Sequence, residues 1–116
     1  MSPHHLLRTG CSIGAGAVVV AGITIGRFAT IGAGGIVTRD VADFALMAGS
    51  PAHRIGWVCA CGARLLDSEG RKAPPEPAVY SADPELACPV CHRHYRYNPE
   101  ADTLIERVGL HQGVRA

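Results

Sequence analysis

The sequence predicts an all-β chain in two parts: a solenoid of short stacked strands, then a small ribbon clamped by four thiols. Three observations predict it. A six-residue period of β-branched residues runs through the first half, the composition holds 14 Gly among 116 residues but only 5% aromatics, and two close pairs of cysteines stand in the second half. Gly at about 12% exceeds its usual share of roughly 7%. The 47% hydrophobic content excludes a disordered chain. With rings so scarce, small and β-branched residues must build the core. A net charge of +1 gives no pull toward nucleic acid or an acidic membrane. No apolar run reaches the roughly 18 residues of a membrane span. Residues 1–8, Met1-Ser2-Pro3-His4-His5-Leu6-Leu7-Arg8, lack the basic-then-apolar order of an export signal. A cytoplasmic protein is expected, in which five cysteines point to metal or free thiols rather than a disulfide framework.

The composition changes near Trp57. Residues 1–56 hold 10 of the 14 Gly and only six charges, Arg8, Arg27, Arg39, Asp40, Asp43 and Arg54. Residues 57–116 hold four of the five Cys, all three Tyr, seven basic and eight acidic residues. Two units are expected, 1–56 and 57–116, with the Pro-rich stretch Lys72-Ala73-Pro74-Pro75-Glu76-Pro77 as an exposed loop of the second.

In the first unit, stepping by six from Ile13 meets Val19, Ile25, Ile31 and Val37, all β-branched, with Leu7-Arg8 one step earlier. Small residues stand two places before most anchors (Cys11, Ala17, Ala29, Gly35), and Gly14, Gly26 and Gly32 follow three of them. A period of six is not the 3.6 of an amphipathic helix. It fits short strands joined by tight turns, each unit pointing one branched residue inward, with Gly at backbone positions that other residues adopt only with strain and small residues letting layers approach. Six hexads, residues 7–42, follow one another in this way. A Gly- and Val-rich sandwich with coincidental spacing is the bland alternative, and five strict anchors weigh against it. The Gly-rich stretches 10–16 and 32–35 lack both GxGxxG and a Lys-Ser/Thr ending, so a nucleotide loop is discarded.

The run Cys11-Ser-Ile-Gly-Ala-Gly-Ala-Val-Val-Val-Ala-Gly-Ile-Thr-Ile-Gly-Arg-Phe-Ala-Thr-Ile-Gly-Ala-Gly-Gly-Ile-Val-Thr-Arg-Asp-Val resembles the last coils of hexapeptide-repeat acyltransferases. The following Ala48-Gly49-Ser50-Pro51-Ala52-His53-Arg54-Ile55-Gly56-Trp57 resembles that family's closing loop. The Ile-Gly-Trp ending points further, to bacterial N-acetyltransferases of UDP-amino sugars in surface polysaccharide synthesis, of the UDP-2-acetamido-3-amino-2,3-dideoxy-glucuronate N-acetyltransferase type. The resemblance covers about residues 6–66. It implies a left-handed parallel β-helix, here of about two coils, and a homotrimer with acetyl-CoA lying in a groove between subunits. It also implies acetyl transfer to an amine of a nucleotide sugar.

Carried over by position, Ala29, Gly34 and Gly35 would offer backbone contacts to the cofactor, Thr38 and Arg39 match the Thr-Lys/Arg pair after the last coil, and Pro51, Ala52 and Arg54 match the closing loop. A wall of small residues admits the thin pantetheine arm, and Arg offers phosphate a fixed donor fork. Thr38-Arg39-Asp40 reads equally as a solvated turn capping the solenoid, and Arg54 as a surface charge. Acetyl transfer to an amine needs a proton acceptor, and His suits that work near neutral pH. The family's His sits in coils upstream of the matched stretch. His4 and His5 precede the grid and His53 stands in the closing loop, so no catalytic residue is assigned. Two coils fall short of the roughly three repeats such folds need. The chain is therefore expected to be a C-terminal part, or a shortened relative, of a transferase. The alternative is a non-catalytic trimerisation and zinc-ribbon module.

In the second unit, Cys59-Ala60-Cys61-Gly62 precedes Cys88-Pro89-Val90-Cys91, with twenty-six residues between Cys61 and Cys88. Two close pairs of thiols beside turn residues can surround one ion tetrahedrally, the closed arrangement of structural Zn²⁺. Strands are expected at 55–58, 64–66, 95–97 and 103–105, as two hairpins clamping the metal. The unit resembles the ribbon attached to some of these transferases. Cys88-Pro-Val-Cys-His92 also matches the c-type haem motif, but that reading needs export and leaves Cys59 and Cys61 unexplained. A redox dithiol does not need four thiols. The ribbon lacks a basic stripe, which weakens a nucleic-acid role. Cys11 is expected to face inward as a small apolar thiol.

Overall fold

A computed structural model describes residues 6–67, 70–75 and 85–107. The fold is all-β, as expected, and begins as a parallel β-helix. Its first six strands are two residues each: β1 Leu6–Leu7, β2 Ser12–Ile13, β3 Val18–Val19, β4 Thr24–Ile25, β5 Thr30–Ile31 and β6 Ile36–Val37. They pair in parallel as β1 with β4, β2 with β5 and β3 with β6, always between residues eighteen apart. Three hexads therefore make one coil, and the two coils stack their anchors into three columns, Leu7 on Ile25, Ile13 on Ile31 and Val19 on Val37.

A third turn begins but is two residues shorter. Val41 bridges Ile25, and β7 (Ala45–Gly49) pairs with β5 as Thr30 on Leu46, both offsets being sixteen. Two columns are thus extended by a further layer. That layer covers Ile25 and Ile31, which with Val37 and Ala29 are fully buried. Nothing described covers the first coil from above, and Leu7 and Ile13 keep 51% and 37% of their surface. Cys11 is partly buried and packs against the core, in line with its place on the grid.

The glycines serve two purposes, and the sequence expectation merged them. Gly14 and Gly26, which follow anchors, have no left-handed backbone. A Cβ there would lie 2.6 Å from the Ala33 nitrogen or 2.5 Å from the Asp43 nitrogen, so they are required by the contact between coils. The left-handed backbone falls three residues after every anchor but Val37, at Gly10, Gly16, Gly22, Phe28 and Gly34, and again at Phe44, three residues after Val41. These are the corners of the prism. A non-Gly residue costs roughly 1–2 kcal/mol in this conformation. Phe28 and Phe44 offset part of that by stacking at 5.7 Å. Phe44 is buried in the core, and Phe28 packs against it partly buried.

At the foot of the helix, β7 turns through a cis Ser50–Pro51 peptide into antiparallel β8 (Ala52–Trp57). The division expected between Gly56 and Trp57 falls at the end of β8. Beyond it, Val58 donates to the Phe44 carbonyl at 2.8 Å and Tyr95 meets Phe44 edge-on at 4.9 Å. Strands β9 (Glu85–Ala87), β10 (His94–Asn98) and β11 (Thr103–Glu106) form an antiparallel sheet in the order β11-β10-β9. The strand expected at 64–66 is reduced to isolated bridges from Arg64 to Val58 and from Leu66 to Lys72 and Ala87. Trp57, Leu65, Leu86, Tyr95, Tyr97 and Leu104 build the interior of this half, continuous with Phe44 and Ala45 of the helix. Among the described residues no helix is long and apolar enough to cross a membrane.

Candidate functional site

Two constellations stand out, one at each end of β8. The first is a cleft of about 300 Å³ lined by Thr38, Arg39, Pro51, Ala52 and His53. The two-residue cut after Val37 brings the turn 38–40 beside the β7–β8 turn, so residues twelve or more apart in sequence share one wall. Asp40 does not line the cleft. It accepts a hydrogen bond from the Thr24 amide at 2.9 Å and ties the turn to the coil above. Four of the eight residues expected at a cofactor meet here, and His53 joins them.

The other four are placed differently. Gly34 is an exposed corner, whereas Gly35 is buried beneath the Gly32 carbonyl. Ala29 is fully buried; its N–H donates to Gly26 and its carbonyl accepts from Ser12 at 2.8 Å, so it presents no free backbone group. Arg54 points away from the cleft. Its guanidinium lies 4.5 Å above the Trp57 ring, its Nε donates to the Pro75 carbonyl at 3.1 Å, and a terminal nitrogen meets Asp102 at 2.7 Å. Trp57 donates to the same Pro75 carbonyl, and the Tyr97 hydroxyl donates to Asp102. Burial pushes the Asp102 carboxyl up, but Arg54 and the Tyr97 hydroxyl outweigh it and hold it below the ordinary carboxylate range. Arg54 thus fastens β8 to the β10–β11 turn.

The second constellation is the thiol cluster. Cys59 and Cys61 occupy a tight turn closed by the Gly62 amide on the Cys59 carbonyl at 2.8 Å, and Cys88 and Cys91 occupy the turn between β9 and β10. The four Sγ atoms lie within 4.8 Å of one another, with Cys59–Cys91 at 3.3 Å and Cys61–Cys88 at 3.5 Å. Tetrahedral ligands 2.3 Å from one ion stand about 3.8 Å apart, so this set can hold a metal ion. The surroundings favour thiolate. Amides of Val90 and Cys91 point at the Cys88 sulfur, the Tyr95 hydroxyl donates to Cys59 at 3.3 Å, and Arg93 reaches Cys91 at 3.5 Å. Burial pushes the Cys59 thiol up, but the Cys61 amide, Tyr95 and the neighbouring thiols bring it down to about 6. Cys61 is driven the other way: the Ala63 amide lowers it, and burial with the three facing sulfurs pushes it up to about 12. Four crowded thiols cannot all ionise without a cation among them.

Sequence reasoning missed Tyr95, Arg93 and Asp102 as supports and His53 as a cleft residue. The Tyr95-Arg-Tyr97 alternation carried a signal for the first, since β10 buries both rings and exposes Arg96. His92 and His94, weighed as substitute ligands, are exposed, and neither belongs to the cluster. His4 and His5 lie outside the described residues.

No family model matches the chain. It is 50% identical over 60 residues to dTDP-3-amino-3,6-dideoxy-alpha-D-galactopyranose 3-N-acetyltransferase of Aneurinibacillus thermoaerophilus, covering 52% of this chain and 31% of that protein. It is 43% identical over 53 residues to serine acetyltransferase of Escherichia coli strain K12, covering 46% of this chain and 19% of the relative. A solved serine acetyltransferase in complex with cysteine matches half of the chain at 38% identity with a TM-score of 0.48. The curated relatives are thus acetyltransferases, and the chain spans about a third of the first one's length and a fifth of the second's.

Proposed function

We propose that this chain carries the acetyl-CoA end of an N-acetyltransferase whose acceptor is an amino group of a nucleotide sugar, as a left-handed β-helix working in a homotrimer. The observation that carries the reading is the 50% identity over 60 residues to a sugar N-acetyltransferase. The cleft supports it. Thr38, Arg39, Pro51 and Ala52 line one concave surface, suited to a thin arm ending in phosphates. In this reading the cleft holds and orients the cofactor, and the amine acceptor and its proton acceptor belong to coils above Leu7 and Ile13.

The four thiols fit Zn²⁺ in number, spacing and donor chemistry. Such an ion would be structural, because four protein ligands fill its coordination shell. Cys59, Cys61, Cys88 and Cys91 would hold it, Tyr95 would orient the Cys59 sulfur, and Arg93 would face the negative charge of the thiolates. Metal analysis of freshly purified, unchelated protein should return one Zn per chain; clearly less removes this part of the reading.

The exposed face of the first coil favours a second reading, a non-catalytic trimerisation and zinc-ribbon module that acts with a partner. Titration of the chain with acetyl-CoA separates the two. Saturable binding supports the cofactor end of a transferase, while no binding at millimolar ligand supports the module.

A further inference from the structure

We propose that Arg54 is a positioning residue for the cleft: tied to the ribbon through Asp102 and Pro75, it holds the wall formed by Pro51, Ala52 and His53 and so sets how tightly the cleft binds. The identity of the ligand rests on the acetyl-CoA reading; the tether rests on geometry. Each wall of the cleft has an anchor of its own. Asp40 fixes the turn 38–40 by accepting from the Thr24 amide at 2.9 Å. The opposite wall hangs on β8, the edge strand of its sheet. The ladder from β8 to β7 is broken by a bulge: Leu46 faces Gly56 and Met47 faces Arg54, which leaves Ile55 as the extra residue. A bulge disrupts the ladder locally and bends the strand. Residues 52–54 are therefore an arm beyond an interruption, not a rigid continuation of Gly56 and Trp57.

Two guanidiniums brace that interruption. Arg64 donates to the Ile55 carbonyl at 2.8 Å and lies against Gly56, where a Cβ would stand 2.8 Å from it. Arg54 spans the bulge. It stands before Ile55, yet its guanidinium lies 4.5 Å over the ring of Trp57 beyond it. Its Nε donates to the Pro75 carbonyl at 3.1 Å and a terminal nitrogen meets Asp102 at 2.7 Å. Its neighbours His53 and Ile55 turn outward, while its own side chain is 17% exposed and carries the arm onto the ribbon. Attachments at 57, 75 and 102 fix the arm in both place and direction. With them released, the arm samples other placements, and a ligand binds only the fraction in which the wall stands in position.

Calorimetric titration of the full chain with coenzyme A tests the tether, using wild type, Asp102→Gly and, as a control, Glu106→Gln. Asp102 has a left-handed φ of 55°, which Gly adopts freely, so the substitution deletes the carboxylate without straining the turn. Glu106, at the other end of β11, makes a comparable ion pair with Arg93 at 3.2 Å. Near-ultraviolet dichroism checks that both variants keep the fold. Asp102→Gly should weaken binding about fivefold, the size of a half-exposed ion pair, and Glu106→Gln should leave it unchanged. Reciprocity supplies a reading that needs no variant. Trp57 is the chain's single tryptophan, and its Nε1–H donates to the same Pro75 carbonyl at 3.2 Å. Exchange of this indole proton with solvent should slow in wild type when coenzyme A is bound, and by less in Asp102→Gly. Binding unchanged or tightened by Asp102→Gly, or an indole proton indifferent to the ligand, overturns the tether and leaves the acetyl-CoA reading standing; tightening would mean that Arg54, once freed, reaches the ligand itself. Equal weakening in both variants overturns it too, since the ribbon as a whole would then have loosened. No binding of coenzyme A by wild type removes the acetyl-CoA reading and the tether with it.

Discussion

In the β-helix, Ile25, Ile31 and Val37 are fully buried while Leu7 and Ile13, one coil above, lie open; in the ribbon, Trp57, Leu65, Leu86 and Tyr95 are all buried. The helix is held layer by layer, each coil depending on the next through glycines and branched aliphatics, so burial grows toward the foot. The ribbon has too little chain for layers and converges on points, the four sulfurs and the Arg54–Asp102–Trp57 clasp. A repeat distributes stability, and a small cross-linked domain concentrates it. The two should answer to substitution accordingly.

The largest effect belongs to the concentrated half. Replacing Cys88 by Ala removes one of the four sulfurs that would surround the proposed ion, whose binding in such sites supplies on the order of 10 kcal/mol. Zinc content should fall well below one per chain, and the near-ultraviolet dichroism of Trp57 and Tyr95 should collapse. Full retention of both would mean that the thiols are not what holds the ribbon.

Within the helix, Ile31→Ala should cost about 3 kcal/mol, as a buried aliphatic truncation does, and Ile13→Ala less than about 1 kcal/mol, measured by chemical denaturation. Equal losses would mean that the first coil is covered in solution. A finer pair separates the two kinds of glycine. Gly26→Val drives a side chain into the backbone of Asp43 and should cost roughly 2–3 kcal/mol. Gly22→Ala meets open space and carries only the left-handed backbone penalty of about 1 kcal/mol.

The smallest effect is at the clasp. Asp102→Asn should lower stability by up to about 1 kcal/mol, because the pair is half-exposed. Its folded carboxyl lies below the ordinary range, so its contribution is present above the unfolded value of 3.8 and lost as pH falls through the lower folded one. A stability profile between pH 5 and pH 2 should therefore be flatter for the variant at its acid end.

Much of the helix was legible because its period is local: a branched residue every six positions dictates strands that stack at eighteen. The two-residue cut after Val37 was not, since Thr38-Arg39-Asp40-Val41 continues the composition of the grid while breaking its count. Nor were the left-handed corners at Phe28 and Phe44, which depend on one ring finding another a coil away. The thiol spacing announced a cluster, but Asp102 lies forty-eight residues from Arg54, and only the folded chain shows that this cation is already engaged. That Arg54 turns inward while His53 and Ile55 face out belongs to the alternation of β8, which residue types alone did not show.

The most direct test is a crystal structure of the chain grown with acetyl-CoA. Ligand density is expected in the cleft of Thr38, Arg39, Pro51, Ala52 and His53, with phosphate against Arg39 and the Arg54–Asp102 contact intact. Density seated instead in the larger hollow between the Phe28–Phe44 corner and β11, or a guanidinium of Arg54 swung out onto the phosphate, would contradict that expectation.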